Sequence, residues 1–320
     1  MKNDVSEEII IDLFNRLIPA NKSVLLDDDV SQISLSNPNL VISSDMLVES
    51  TDVPTGMSLK QASRKSIIMT VSDFASKGID PKYCIISIGI PKEYSIEKIK
   101  NIVAGIEAGL NEFDIILIGG DTNSSMELII DCTMIGSLDY DIPSRKNAEI
   151  GDIVYALGEF GFTGAGLFLL LNEKKPSNEF EKHAIKSIQN PDVNLNIFVK
   201  LVKKKLINSS IDSSDGLCFS LYKIAELSNV SIHVDRFTFS NELKDFSSKY
   251  NFCINDLILY SGEEYNIIFT VSPDKSKKLE TILNKDNIIY KKLGKVKSGS
   301  PVVYYNDKIL KRKGWDGFNA

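Results

Sequence analysis

The sequence predicts an α/β protein of two domains, each a mixed sheet with packed helices. A chain of 320 residues exceeds what one core ordinarily serves, and roughly 150 residues per domain is the size prior. In both halves, apolar runs of strand length alternate with apolar residues at helical spacing. A polar, turn-like stretch from Pro143 to Gly151 separates them, which sets the expected domains at 1–148 and 149–320.

Asp4 followed by Glu7 reads as a helix start, and Ile9, Ile10, Leu13, Phe14, Leu17 and Ile18 recur at helical spacing until Pro19. Asn37-Pro38-Asn39 reads as the turn of a hairpin between runs at 33–35 and 40–42. Residues 58–77 predict a long helix closed by Gly78, because glycine adopts the left-handed C-cap without steric cost. A strand at 83–90 ends at Pro91, a helix spans 95–112, and a strand at 114–118 runs into Gly119-Gly120-Asp121. A strand near 126–136 completes the first half. The second half opens with a strand at 153–157. Helices near 164–172, 194–206 and 216–227 follow, with strands near 230–234 and 265–271, helical stretches between them and a strand-rich tail. No fixed-period repeat and no low-complexity tract occurs.

A formal net charge of -6 argues against a nucleic-acid binder that works by neutralising phosphates, and the short C-terminal basic run Lys311-Arg312-Lys313 does not change that. The four cysteines are far apart without a CxxC pair, so they are expected to be reduced, mostly buried thiols. The acidic N-terminus lacks the pattern of a signal peptide, and no apolar run approaches the roughly 20 residues that span a bilayer, so a cytoplasmic location is expected. Only His183 and His233 are present, which disfavours a histidine triad or multi-histidine metal site.

Five segments share one design, in which a run able to form a strand or helix ends in small residues plus carboxylates. They are Asp27-Asp28-Asp29, Ser43-Ser44-Asp45, Ser72-Asp73, Gly119-Gly120-Asp121-Thr122 and Asp212-Ser213-Ser214-Asp215-Gly216. A single aspartate after a strand is often a turn former or helix cap. Asp73 differs, because it lies between Val71 and Phe74 in the apolar part of its helix, where an unpaired carboxylate is costly. A bound cation, or a hydrogen bond from a neighbouring serine or backbone group, would offset that cost. Clustered carboxylates repel one another unless cations join them, and magnesium, a hard ion that takes oxygen ligands together with phosphates, suits such a set. No P-loop and no protein-kinase signature is present.

Taken in order, Asp28-Asp29, Ser43 to Glu49, Val71 to Ala75, Gly119 to Thr122, Gly151 to Tyr155, Gly164 to Leu167, Ile211 to Leu217 and Gly262-Glu263-Glu264-Tyr265 resemble the thiamine-monophosphate kinases. These belong to the superfamily of aminoimidazole ribonucleotide synthetase and selenophosphate synthetase, and the resemblance runs from about residue 8 to Trp315. It implies synthetase-like N-terminal and C-terminal domains and transfer of the γ-phosphoryl of ATP to thiamine monophosphate. It also implies a homodimer paired through the N-terminal halves, with each site between an N-terminal and a C-terminal half. By matching position, Asp29, Ser43, Ser44, Asp45, Asp73, Asp121, Asp212 and Asp215 would bind several Mg2+ ions, with Asp28 in support. Gly120, Asp121, Arg145 and Ser214 would contact ATP, while Asp52, Glu263 and Trp315 would contact the substrate.

Four positions depart from the family pattern. Asp27 stands for a glycine, Asp52 for a histidine that usually contacts substrate, and Ser261 and Glu264 for a glycine and an aspartate beside Glu263. Two alternatives remain open at this stage: a sister enzyme with another acceptor, and a nucleotide-binding protein without turnover. A first cysteine as late as Cys84 disfavours selenophosphate synthetase, and Gly262-Glu263-Glu264-Tyr265 disfavours the aminoimidazole enzyme.

Overall fold

A computed structural model describes residues 7–17, 39–235, 237 and 239–314. The chain divides into one unit of Met1–Phe74 with Ile79–Asp139, and a second of Ala75–Gly78 with Tyr140–Ala320. Residues 140–148 attach to the second unit: Tyr140 Oη donates to Gly78 O at 2.6 Å, and Ala148 N to Ser228 Oγ at 3.1 Å.

The first unit contains α1 (Glu7–Asn15), β1 (Leu40–Val48), α2 (Glu49–Asp52), α3 (Leu59–Lys77, whose last turn belongs to the second unit), β2 (Pro81–Pro91), α4 (Ile96–Glu112), β3 (Ile116–Ser125) and β4 (Ile129–Ser137). A capping box starts α3, with Gln61 N donating to Ser58 Oγ at 3.2 Å and Ser58 N to Gln61 Oε1 at 2.9 Å. Gly78, at φ +67, ends it in the expected left-handed conformation. Ser95 caps α4 by accepting from Lys98 N.

The strands form a sheet in the order β1-β4-β2-β3, parallel only between β2 and β3. Leu47, Ile86, Ile88, Ile130, Cys132 and Met134 are buried on one face. The alternate residues of β1, Leu40, Ile42, Ser44 and Met46, are exposed on the other.

Two expectations need correction. The strand beginning at Leu40 continues to Val48 in register with β4, so Ser43-Ser44-Asp45 lies inside a strand rather than at an element's end. Similarly, β3 does not stop at Ile118 but carries Gly119-Gly120-Asp121 in its ladder to β2. Gly120 permits this, since a Cβ there would collide with the Ile86 carbonyl oxygen. The expected turn at Asn37-Pro38 and its preceding arm, Pro19, Asp27, Asp28, Asp29 and Trp315 lie outside the described residues.

The second unit contains β5 (Ile153–Leu157), α5 (Phe162–Leu171), α6 (Glu179–Gln189), α7 (Leu195–Lys203), β6 (Ser209–Asp212), α8 (Leu217–Ser228), β7 (Ser231–Val234), α9 (Asn241–Tyr250), α10 (Ile254–Tyr260), β8 (Ile267–Val271), α11 (Pro273–Lys285), β9 (Tyr290–Lys297), β10 (Val303–Tyr305) and β11 (Lys308–Ile309). Its sheet runs β11-β10-β7-β9-β5-β8-β6, and every residue of β5, β6 and β8 is buried.

Helix α7 stops before the expected residue 206, because Lys205 turns left-handed at φ +54. Sequence reading did not single out α6, although Asn178 caps it and Phe180, Ala184 and Ile188 repeat every fourth residue. Glu181 in α6 is 0% exposed and accepts from Ser177 N at 2.7 Å and Lys249 Nζ at 2.8 Å, tying α6 to α9.

His183 meets the Phe162 ring edge-on, and His233 stacks on Tyr304. Cys84, Cys132 and Cys218 are buried free thiols, whereas Cys253 is exposed. Among the described residues, no helix is long and apolar enough to cross a membrane.

Candidate active site

In the first unit, Ser43 and Asp45 are two residues apart in β1, on the same side as buried Leu47. There Ser43 Oγ donates to Asp73 Oδ2 of α3 at 2.5 Å. The carboxylate that looked anomalous inside an apolar helix is therefore met by a serine from a neighbouring strand. Ser44 points the other way, donating to Asp131 Oδ1 at 3.1 Å and lying 2.8 Å from Thr133 Oγ1. Asp121 pairs with Ser87 in a row that continues through Asp131 to Met46, and its Oδ1 accepts from Thr122 N at 2.9 Å. Gly120 occupies the preceding ladder position, opposite Ile86.

Past β1, the single turn α2 is fixed from several directions. Asp52 Oδ2 accepts from Val48 N at 2.7 Å and Thr51 Oγ1 at 3.1 Å, and the Asp52 carbonyl accepts from Lys65 Nζ at 2.8 Å. Lys65 itself is fully buried in α3. Glu49 accepts from Tyr94 Oη at 2.9 Å and from Leu128 N at 2.8 Å, and burial followed by this bond pushes the Tyr94 phenol well up. The carboxylate that replaces a histidine thus closes its own turn, a role short polar side chains readily take.

In the second unit, β6 ends at Asp212, and Ser213-Ser214 extends its pairing toward 263–266. Ser213 N donates to Asn266 O at 2.8 Å, Glu263 N to Ser214 O at 2.7 Å and Tyr265 N to Ser213 O at 3.2 Å. Gly216, at φ +101, then turns the chain into α8, which sets Ser214 and Asp215 at that helix's N-terminus. Ser220 Oγ returns to the Asp212 carbonyl at 2.8 Å. Arg145 Nη2 lies 4.0 Å from Asp212 Oδ1, with Asp212 almost entirely buried and Arg145 partly open to solvent. Burial raises the Asp215 carboxyl, while the nearby Arg145 and Lys223 cations draw it back down.

Glu263 and Tyr265 both hold left-handed backbone, at φ +60 and +49, a conformation costing non-glycine residues roughly 1–3 kcal/mol. Between them Glu264 accepts from Gly161 N at 2.7 Å, Thr163 Oγ1 at 2.9 Å and Asn266 Nδ2 at 3.2 Å, anchoring the strained segment to the start of α5. Burial pushes its carboxyl up to about 8, against the pull of these donors. Ser261 Oγ donates to Leu257 O at 2.6 Å.

The structure thus joins Ser43 to Asp73, Ser44 to Asp131, and Arg145 to Asp212. Among the described residues, no three His, Cys, Asp or Glu side chains come together as a metal cage. Sequence reasoning missed Asp131, Thr133, Lys65 and Tyr94. Two polar residues at alternate positions, Asp131 and Thr133, inside the otherwise apolar run 129–136 were the available signal for the strand pair.

Of the two α/β units carrying serines and carboxylates on strands β1, β3 and β6, the first belongs to a known class, the AIR-synthase-related N-terminal domains. Residues 27–138 match the family model described as AIR synthase related protein, N-terminal domain. The chain is 36% identical to the thiamine-monophosphate kinase of Nitrosopumilus maritimus, over 98% of this chain and 99% of that one. It is 34% identical to that of Pyrococcus abyssi, over 87% and 84%. The solved structure of AaThiL complexed with AMPPCP and TMP aligns with a TM-score of 0.80 at 26% identity, over 98% of this chain and 97% of that one. The chain belongs to the thiamine-monophosphate kinase family.

Proposed function

We propose that the protein transfers the γ-phosphoryl group of ATP to the phosphate of thiamine monophosphate, giving thiamine diphosphate and ADP. The observation that carries this reading is a relationship of 36% identity along the whole chain to a thiamine-monophosphate kinase. The pairing of Arg145 with buried Asp212 beside the N-terminus of α8, a setting suited to phosphate, supports it.

An acceptor phosphate carries roughly 1.5 to 2 negative charges near pH 7, so its oxygen can attack without a general base. That fits a chain whose two histidines are both engaged in ring contacts. What the reaction requires is neutralisation of two polyanions and their alignment for in-line transfer. Arg145, oriented by Asp212, would meet phosphate oxygens together with the Ser214 segment, and Glu263 would face the thiamine part.

The donor set fits magnesium, since it is made of hydroxyl and carboxylate oxygens and the burial that raises Asp215 is relieved by a cation. Ser43, Asp45 and Asp73 of the first unit would supply magnesium ligands, as would Asp212 and Asp215 of the second, and Asp29, Ser44 and Asp121 are the further members of the set that the family resemblance implies. Bound there, magnesium supplies positive charge to the phosphates.

We read the protein as a homodimer formed through the open face of the first sheet. That face exposes Ile42 at 61%, Met46 at 53% and Ile85 at 37% among Ser44, Ser87, Asp121 and Asp131, and a second copy would cover these apolar side chains.

The purified protein with ATP, magnesium and thiamine monophosphate is expected to release ADP and thiamine diphosphate in equal amounts. No thiamine diphosphate would overturn the assignment.

A further inference from the structure

Lys77 is the last residue of α3, in the turn that belongs to the second unit, and no role described so far uses it. Its Nζ donates to Ser210 O at 2.5 Å and to Pro143 O at 3.2 Å. Each acceptor stands two residues before a member of the Arg145–Asp212 pair. Ser210 precedes Asp212 in the fully buried strand β6, and Pro143 precedes Arg145 in the segment leading to β5.

The same junction is closed around the ammonium. Ser210 Oγ lies 2.5 Å from Ser76 O and 3.2 Å from Pro143 O, and Ser209 Oγ donates to Arg145 O at 3.2 Å. A cation is favoured here, because the last carbonyls of α3 lack intrahelical partners and the helix dipole is negative at this end. An ammonium donates in three directions and can bridge two carbonyls from separate segments; an apolar side chain of similar length, such as methionine's, cannot.

We propose that Lys77 is a positioning residue that sets the separation of Arg145 and Asp212, and so the geometry of the nucleotide-phosphate side of the site. The inference rests on the reading of that pair given under Proposed function. Lys77 acts by holding two backbone carbonyls in register.

The test compares wild type, Lys77→Met and Lys77→Arg in kinetics and in the rise of melting temperature caused by MgATP without acceptor. Lys77→Met is expected to raise KM for ATP about tenfold, with KM for thiamine monophosphate within about twofold of wild type. It should also lose most of the MgATP-induced shift, and Lys77→Arg should restore part of both. If Lys77→Met does not fold, Lys77→Gln carries the test with a smaller rise in KM for ATP expected, because its shorter amide keeps two donors but no charge. A wild-type KM for ATP together with a wild-type MgATP shift in the folded variant would overturn the inference, as would equal losses for both substrates. If wild type forms no thiamine diphosphate, the functional reading fails while the MgATP shift still decides the role of Lys77.

Discussion

The two sheets solve burial in opposite ways. In the second unit β5, β8 and the edge strand β6, which are neighbours in the sheet, have no exposed residue. In the first unit β1 alternates, with Leu47 buried and Ile42 and Met46 open to solvent. Strands buried on both faces need no further cover, whereas a sheet that shows apolar side chains on one face has stability left to gain from a partner. The candidate chemistry divides the same way. The first unit presents Ser43, Asp45 and Asp73 beside a sheet with an open face, and the second presents Asp212 at the end of a buried strand.

The sharpest way to break this comparison is to remove one carboxylate from each unit. Asp45→Asn and Asp212→Asn are each expected to lower turnover about 100-fold or more with circular dichroism unchanged, since each removes charge that must balance phosphates. Wild-type turnover in either variant at low magnesium would show that its unit contributes no ligand.

Next in size, Ile42→Glu combined with Ile85→Glu should convert a dimer into monomers by light scattering. The same change at Ile150, a singly exposed side chain of the second unit, should leave the mass unaltered. An unchanged mass in the double variant would remove the contrast between the sheets.

Within the second unit, Glu181→Gln is expected to cost about 1–3 kcal/mol in urea unfolding, because it weakens a buried charge-assisted junction. Donors from Lys249 and Ser177 outweigh burial and hold its carboxyl at about 2, below the ordinary 4.5. The stabilisation is therefore full above pH 4.5 and lost as pH falls toward 2.

A second titration has the opposite sign. Glu264 is raised from 4.5 to about 8, so the folded form holds a proton that the unfolded form has released. Stability of the second unit should fall as pH rises from about 5 to 8 and level off above it. Glu264→Gln should flatten that slope in thermal melts across the window, and an unchanged slope would assign it to another group.

Much of the fold was legible because its punctuation is local. Ser58 and Gln61 announce the start of α3, Gly78 its end and Ser95 the start of α4, and each acts within a few residues. The strands around the serine and aspartate motifs were misjudged for the converse reason. Ser43-Ser44-Asp45 and Gly119-Gly120-Asp121 are turn-forming by composition, and only pairing with β4 and β2 keeps them extended. Lys65 and Lys77 look like ordinary helical lysines in sequence. Their acceptors, at 52, 143 and 210, are 13, 66 and 133 residues away.

The sequence by itself determined the α/β class, the order of the motifs and the oxygen-rich donor set, since helical period, caps and residue chemistry are local properties. Tertiary structure alone decided that Ser43 meets Asp73 while Ser44 meets Asp131, that Asp52 closes its own turn, and that Arg145 faces Asp212. Those outcomes depend on strand register and on contacts between distant segments, where a shift of one residue sends every side chain to the opposite face.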